Sequence, residues 1–268
     1  MPHLPLLVGA SAHPVLHWDL DTDALTVDGR PLAPRALFLR HDVFTNLQDG
    51  RPDSASRAYS WFTTLLAWAA AHPRVRLLNR EHTAFVLKPQ QLLAARDAGL
   101  AIPSTLVSND AAALDALADD RIVKPVAGGD FTVPLAPVLA KAPRRGGAFA
   151  APAIVQQRLV PPELRVYRIG ERFVSFHVIA DALDYRTVSN ARVERVRNDR
   201  RLVAGLRRLT DALRLDFGAA DFKKDPASGR MLFLEVNSSP MFAAFDAASD
   251  GAISRAIVRA IVTRPHAR

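Results

Sequence analysis

The chain contains no cysteine, which excludes disulfide frameworks, thiolate metal sites and cysteine nucleophiles together. Any metal it holds must sit on oxygen or imidazole ligands. Lysine is scarce: Lys88, Lys124, Lys141, Lys223 and Lys224 are the only five, although Lys and Arg together number 35. A compact ammonium against a phosphate does a different job from the arginine that coats a surface, so each lysine position is informative. No apolar stretch approaches the roughly 20 residues of a membrane-spanning helix, and residues 1–10 lack the basic start and long apolar run of a signal peptide. A globular, cytoplasmic protein without a membrane partner is expected. Aromatic residues make up only 7% of the chain and none lies among the arginines of 192–208, which argues against a stacking platform for nucleic acid.

What is present is ample apolar material, 49% of 268 residues, enough for one large domain or two to three small lobes sharing a core. The formal charge of +8 and pI near 10.5 suit an anionic partner: a nucleotide, an acidic peptide or nucleic acid. Residues 1–80 read as a small α/β unit, with strands at 6–9 and 36–40, a polar hairpin around 19–29, and a helix over Ser54–Ala71 carrying Ala58, Trp61, Phe62, Leu65, Leu66 and Ala69 at helical spacing. A helix is predicted over 83–98, ending at Gly99 in a left-handed cap. Next come an extended piece over 100–107, a helix capped by Asn109 or Asp110, and a strand over 121–124 leading to Gly128 and Gly129. Runs at 154–160, 164–169 and 172–179 suggest adjacent antiparallel strands. The pattern closes with a helix over 199–213, strands over 217–223 and 231–236, and a helix over 247–262; the stretch 142–151 reads as a loop.

The strongest chemical signal lies in the last hairpin. Glu235 and Asn237 are two apart on one strand and so point to one face, and a tight turn near Ser228 brings Asp221 of the partner strand close to them. Two carboxylates and an amide oxygen form the hard donor set that magnesium accepts when phosphates and water complete its octahedron. The alternative is that all three are solvated residues of a half-exposed hairpin. Against it, their neighbours Phe233, Leu234 and Val236 look buried, and a buried unpaired carboxylate is costly.

The string LEVNSSP, preceded by DFGAADF, resembles the closing metal-binding motif of ATP-grasp enzymes, in the branch of ribosomal-protein glutamate ligases, glutathione synthases and graspetide macrocyclases. By that resemblance Asp221, Glu235 and Asn237 are magnesium ligands. Further segments fit in the same order over about 79–246. The helix LKPQQLLAARDAGL is similar to the family's entry helix, making Lys88 a phosphate contact. RIVKPVAGG resembles its second lysine strand, making Lys124 a contact for phosphate and adenine. IVQQRLVPPELRVYRIG looks like the adenine hinge, implying backbone contacts near Gln157, Arg158 and Leu159, with Glu163 on the ribose hydroxyls and Arg165 on the transferring phosphoryl. The glutamine at 157 replaces the family's acidic residue, and the phosphate-covering loop AGGDFTVPL is short. Asp184-Tyr185-Arg186 resembles a motif of the graspetide branch, which implies a place for Arg186 beside the acceptor carboxylate.

The resemblance implies an α/β (α+β) ATP-grasp fold, two α+β lobes clasping ATP over 81–160 and 161–268, preceded by a small α/β N-terminal domain over 1–80. It implies ATP and Mg2+ as cofactors, and an ATP-dependent carboxylate-amine or carboxylate-hydroxyl ligase acting through an acyl phosphate. A carboxylate substrate, an amine or hydroxyl acceptor and a precursor peptide are the partners it suggests, and a homodimer stays open. His177 is either a base or a packed strand residue, Arg165 and Arg168 are either functional or solvated, and Arg40, Asp42, Arg57 and Tyr59 stand in the segment expected to select substrate. The rivals are a kinase on the same nucleotide fold and a basic nucleic-acid-binding protein.

Overall fold

Period-two and period-3.6 patterns resolve into four sheets and their covering helices in the computed structural model, which describes residues 14–40, 54–81, 87–117, 120–126, 132–180 and 192–262. The chain divides into two units, Met1–Arg80 with Val258–Arg268, and Glu81–Ile257. In the first, β1 (Leu16–Asp19), β2 (Ala24–Val27) and β3 (Arg30–Pro31) form an antiparallel meander, and β4 (Ala36–Leu37) pairs in parallel with β5 (Arg76–Leu77). The long helix α1 (Ser54–Ala71) supplies Trp68 and Ala69 to a core with Leu25, Val75 and Leu77. Arg80 closes its C-terminal end by donating to the Ala69 carbonyl at 2.7 Å. The strand expected at 6–9 lies outside the described residues.

The second unit begins with α2 (Lys88–Asp97), where Pro89 in the first turn costs no helical hydrogen bond; the helix ends at Ala98, with Gly99 at φ 79°. The first part of the helix expected over 83–98 falls among residues 82–86, outside the description. A sheet of order β6-β10-β7-β8 follows, from β6 (Thr105–Asp110), β7 (Arg121–Pro125), β8 (Val133–Pro134) and β10 (Ala148–Gln157), with β9 (Arg144–Arg145) also on β10. Two short helices belong with it, α3 (Ala111–Asp115), capped by the Asp110 carboxylate, and α4 (Leu135–Lys141). The loop expected over 142–151 is instead largely the hairpin β9–β10, because Gly146 and Gly147 accept the positive φ, 59° and 80°, that a two-residue turn demands.

A second sheet has the order β13-β12-β11-β14-β15, antiparallel throughout: β11 (Val160–Ile169), β12 (Arg172–Ile179), β13 (Arg192–Val196), β14 (Phe217–Lys224) and β15 (Met231–Asn237). The three runs expected as neighbours are therefore split, with β10 in one sheet and β11 and β12 in the other. Gly170 at φ 57° lets β11 turn directly into β12, whereas Arg158 and Leu159 provide no such residue between β10 and β11. Helix α5 (Arg200–Ala212), capped by Asp199, packs Leu206 and Leu209 with Leu92 and Ala95 of α2 against Leu164, Val166, Phe222 and Phe233. The closing helix is broken into α6 (Ala243–Ala247) and α7 (Ala252–Val262): Asp250 and Gly251 take positive φ, and the Asp246 carboxylate accepts from the amides of Ile253 and Ser254. Among the described residues no helix is long and apolar enough to cross a membrane.

Candidate active site

Strand parity sets the site. Glu163 and Arg165 of β11 lie opposite Lys223 and Asp221 of β14, and Asp221 in turn lies opposite Glu235 of β15, with Asn237 two residues on. Directly opposed residues share a face, so all six project from the same side of the second sheet. The other side carries the core packed on α2 and α5. His177 pairs with Leu164 and projects from that core side, which removes it as a base for the six. Arg168 belongs to the core side too: it is buried and donates to Thr210 Oγ1 at 2.6 Å and to the Gly170 carbonyl at 3.1 Å, a structural tie and not a solvated residue.

Strict alternation along β15 would put Phe233 and Glu235 on one face. A bulge prevents this: Asp221 pairs with Glu235 but Phe222 with Phe233, so Leu234 is the extra residue. Phe233 enters the core against Phe222, ring centroids 5.6 Å apart, while Glu235 faces the site. The outer edge of β15 is occupied by α2 and the segment that follows it. Phe233 donates its amide to the Ala101 carbonyl at 2.8 Å, and Val236 donates to Oε1 of the buried Gln91 of α2 at 2.7 Å. That fixes the start of α2 beside β15 and brings Lys88 Nζ to 3.1 Å from Glu235 Oε2.

The charges are paired. Arg165 donates to Asp221 in a bidentate fork, 2.7 Å from Nε and 2.8 Å from Nη2, both side chains nearly buried. Phe245 of α6 lies under the guanidinium, 5.2 Å from Cζ to the ring centroid, and is held by a tilted contact with Tyr167 and an edge contact with Phe176, while the Tyr167 hydroxyl donates to the Met241 carbonyl at 2.6 Å. Lys223 lies 3.4 Å from Glu163. Burial pushes the Glu163 carboxyl up to about 7, with Asp221 adding repulsion and Lys223 and Arg165 opposing. Lys124, on β7 opposite Ile154, has its ammonium pKa lowered by burial; Glu235 and Glu163 oppose that shift, while Lys88 and Lys223 reinforce it.

The hinge between the sheets is largely saturated. The Gln157 amide donates to the Ser104 carbonyl at 3.1 Å and that of Arg158 to the Asp120 carbonyl at 3.3 Å. The Gln157 side chain accepts from the Ser104 amide at 2.8 Å and donates to Asp225 at 3.1 Å, so this residue works as a strut. Leu159 beside them is buried. Arg186, Gly128 and Gly129 lie outside the described residues. Sequence pattern gives no sign of Phe245; Lys223 is marked only by the scarcity of lysine and by its spacing of two from Asp221.

Asp221, Glu235 and Asn237 offer hard oxygen donors on one face, the donor chemistry that magnesium accepts. Among the described residues no three His, Asp or Glu side chains come together so as to hold a metal ion by themselves, so phosphate oxygens and water would have to supply much of the shell. The Asn237 Oδ1 already accepts from the Ser239 amide at 2.8 Å, which orients its side chain.

The chain is 27% identical to the ATP-grasp ligase PsnB, in a structure complexed with minimal precursor, Mg and ADP, with 94% of this chain and 86% of that chain covered at a TM-score of 0.68. The chain belongs to the ATP-grasp superfamily. Two further structures share the fold. One is the macrocyclase MdnC from Microcystis aeruginosa MRC, bound with precursor peptide MdnA, at 20% identity, coverage of 96% and 86%, and TM-score 0.64. The other is the VanG D-Ala:D-Ser ligase from Enterococcus faecalis at 15%, coverage of 92% and 78%, and TM-score 0.55. No protein-family model and no curated protein matches the sequence.

Proposed function

We propose that this ATP-grasp chain binds ATP with magnesium and activates a carboxylate as an acyl phosphate, which an amine or hydroxyl attacks with release of ADP and phosphate. The observation that carries this reading is the interlocked set of cations and carboxylates on one sheet face: Arg165 with Asp221, Lys88 with Glu235, and Lys124 within electrostatic reach of both Glu235 and Glu163. Cations for phosphate and oxygen donors for metal occupy the same few ångströms. In the proposal Asp221, Glu235 and Asn237 hold magnesium, Lys88 and Lys124 hold phosphate, Glu163 takes the ribose hydroxyls, and Gln157, Arg158 and Leu159 border the base. Magnesium, when bound, neutralises charge on the phosphates. Arg165 holds a developing negative charge on the transferring phosphoryl and keeps the activated carboxylate in place, a task its planar fork and its place over the Phe245 ring suit. Arg186 would sit beside the acceptor carboxylate, 81–160 and 161–268 would form the two lobes, and 1–80 would help select substrate.

A peptide is the substrate class this reading favours. PsnB and MdnC are described in complex with precursor peptides, and a net charge of +8 suits an acidic one. The test is product analysis with a precursor encoded beside the protein. ADP and phosphate should form only when carboxylate and nucleophile are both present, and the peptide should lose one water per bond. A stable phosphorylated product would instead identify a kinase. Glu235→Ala should abolish turnover, and full activity in that variant would remove the metal assignment.

A further inference from the structure

Three of the chain's five lysines meet at this face. The nucleotide reading uses Lys88 and Lys124; it leaves Lys223 without a task. Lys141 and Lys224 are exposed, whereas Lys223 is only 9% exposed. Its Nζ lies 3.4 Å from Glu163 Oε2, with the two side chains 11% and 10% exposed. A buried ammonium is expensive, and one carboxylate offsets it only while that carboxylate is ionised. Glu163 is itself pushed towards neutrality by burial. At this face Lys88, Lys124, Arg165 and Lys223 gather with Glu163, Asp221 and Glu235. Lys223 also stands two residues from Asp221 on the same face, roughly 7 Å along the strand, within reach of an anion that approaches Asp221.

We propose that Lys223 is a third phosphate-binding lysine, whose ammonium takes a phosphate oxygen of the bound nucleotide alongside Lys124 while Glu163 aims it. The proposal rests on the nucleotide reading above. The competing role is that Lys223 only neutralises Glu163, and a background in which Glu163 carries no charge separates the two.

The experiment compares full-length wild type, Glu163→Gln, and Glu163→Gln with Lys223→Met or Lys223→Arg. ADP with magnesium is titrated by calorimetry and adenosine by NMR. Neither double variant leaves a buried carboxylate unpaired, and circular dichroism checks their fold. Relative to Glu163→Gln alone, adding Lys223→Met should weaken ADP by about tenfold or more and leave adenosine unchanged, while Lys223→Arg should retain most of the ADP affinity. Unchanged ADP affinity on adding Lys223→Met, or an equal loss for ADP and adenosine, would overturn the role. Failure of the wild type to bind ADP at all would instead strike the nucleotide reading, and Lys223 with it.

Discussion

Arg165 and Asp221 form the tightest charge pair of the site, joined by two hydrogen bonds of 2.7 and 2.8 Å at side-chain exposures of 11% and 10%. Removing one member of such a pair costs more than the pair contributes, because the survivor stays buried without a counter-charge. Asp221→Asn should lose about 3 kcal/mol in urea denaturation of the ligand-free protein, and Arg165→Met combined with Asp221→Leu should regain much of it. A second residue-scale expectation concerns His72 in the first unit. Its pKa is raised above the ordinary 6.5, first by the hydrogen bond from Nδ1 to the Trp68 carbonyl and then by Asp23, against partial desolvation. A raised histidine pKa means the folded state binds the proton more tightly, so the stabilisation is complete below the ordinary value and fades as pH rises through the folded one. NMR titration of the ring should place its midpoint above 6.5. Asp23→Ala should bring it part of the way back, since the Trp68 carbonyl remains.

At the scale of elements, α5 lies so close to the segment after α2 that Gly205 has no room for a side chain: a Cβ there would stand 2.6 Å from Leu100 Cδ2 and 3.0 Å from its Cγ. Alanine at this position would favour the helix by about 1 kcal/mol, but Leu100 sits in the core and cannot withdraw freely. The clash, at about 1–3 kcal/mol, should win. Gly205→Ala should therefore lower the melting temperature, and pairing it with Leu100→Val should recover part of the loss. Arginines on α5 have structural partners: Arg208 donates to the Ala98 carbonyl at 2.7 and 3.0 Å, and Arg207 pairs with Glu171 and covers Phe173 at 5.0 Å. These contacts leave less of the basic stripe for nucleic acid than composition alone suggests.

For the molecule as a whole, the carboxylates proposed for metal are engaged by cations, Asp221 by Arg165 and Glu235 by Lys88. Magnesium alone would have to leave those cations uncompensated, whereas nucleotide phosphates give them new partners. Metal and nucleotide should consequently bind as a unit. At about a hundred times its dissociation constant a ligand stabilises the fold by about 2.7 kcal/mol, roughly 5–10 °C for a chain of this size. Differential scanning fluorimetry should show such a rise with ADP and magnesium together and far less with magnesium alone. Equal shifts would mean that Arg165 and Lys88 do not compete for the carboxylates.

Much of this was legible in the residues. The spacing of Glu235 and Asn237, the scarcity of lysine, the helix over Ser54–Ala71 and the Asp110 and Asp199 caps follow from local rules of periodicity and capping, which act within a few residues. What local rules could not give was which strands become neighbours and which face each side chain takes. The separation of β10 from β11, the bulge at Leu234 that divides Phe233 from Glu235, the parity that turns His177 away, and the arrival of Lys223 and Phe245 beside Glu163 and Arg165 all depend on pairing between distant segments. Sequence determined the inventory of charged and ligating groups. Tertiary structure decided their partners, because register across strands is set by packing of the whole sheet and not by any one of its strands.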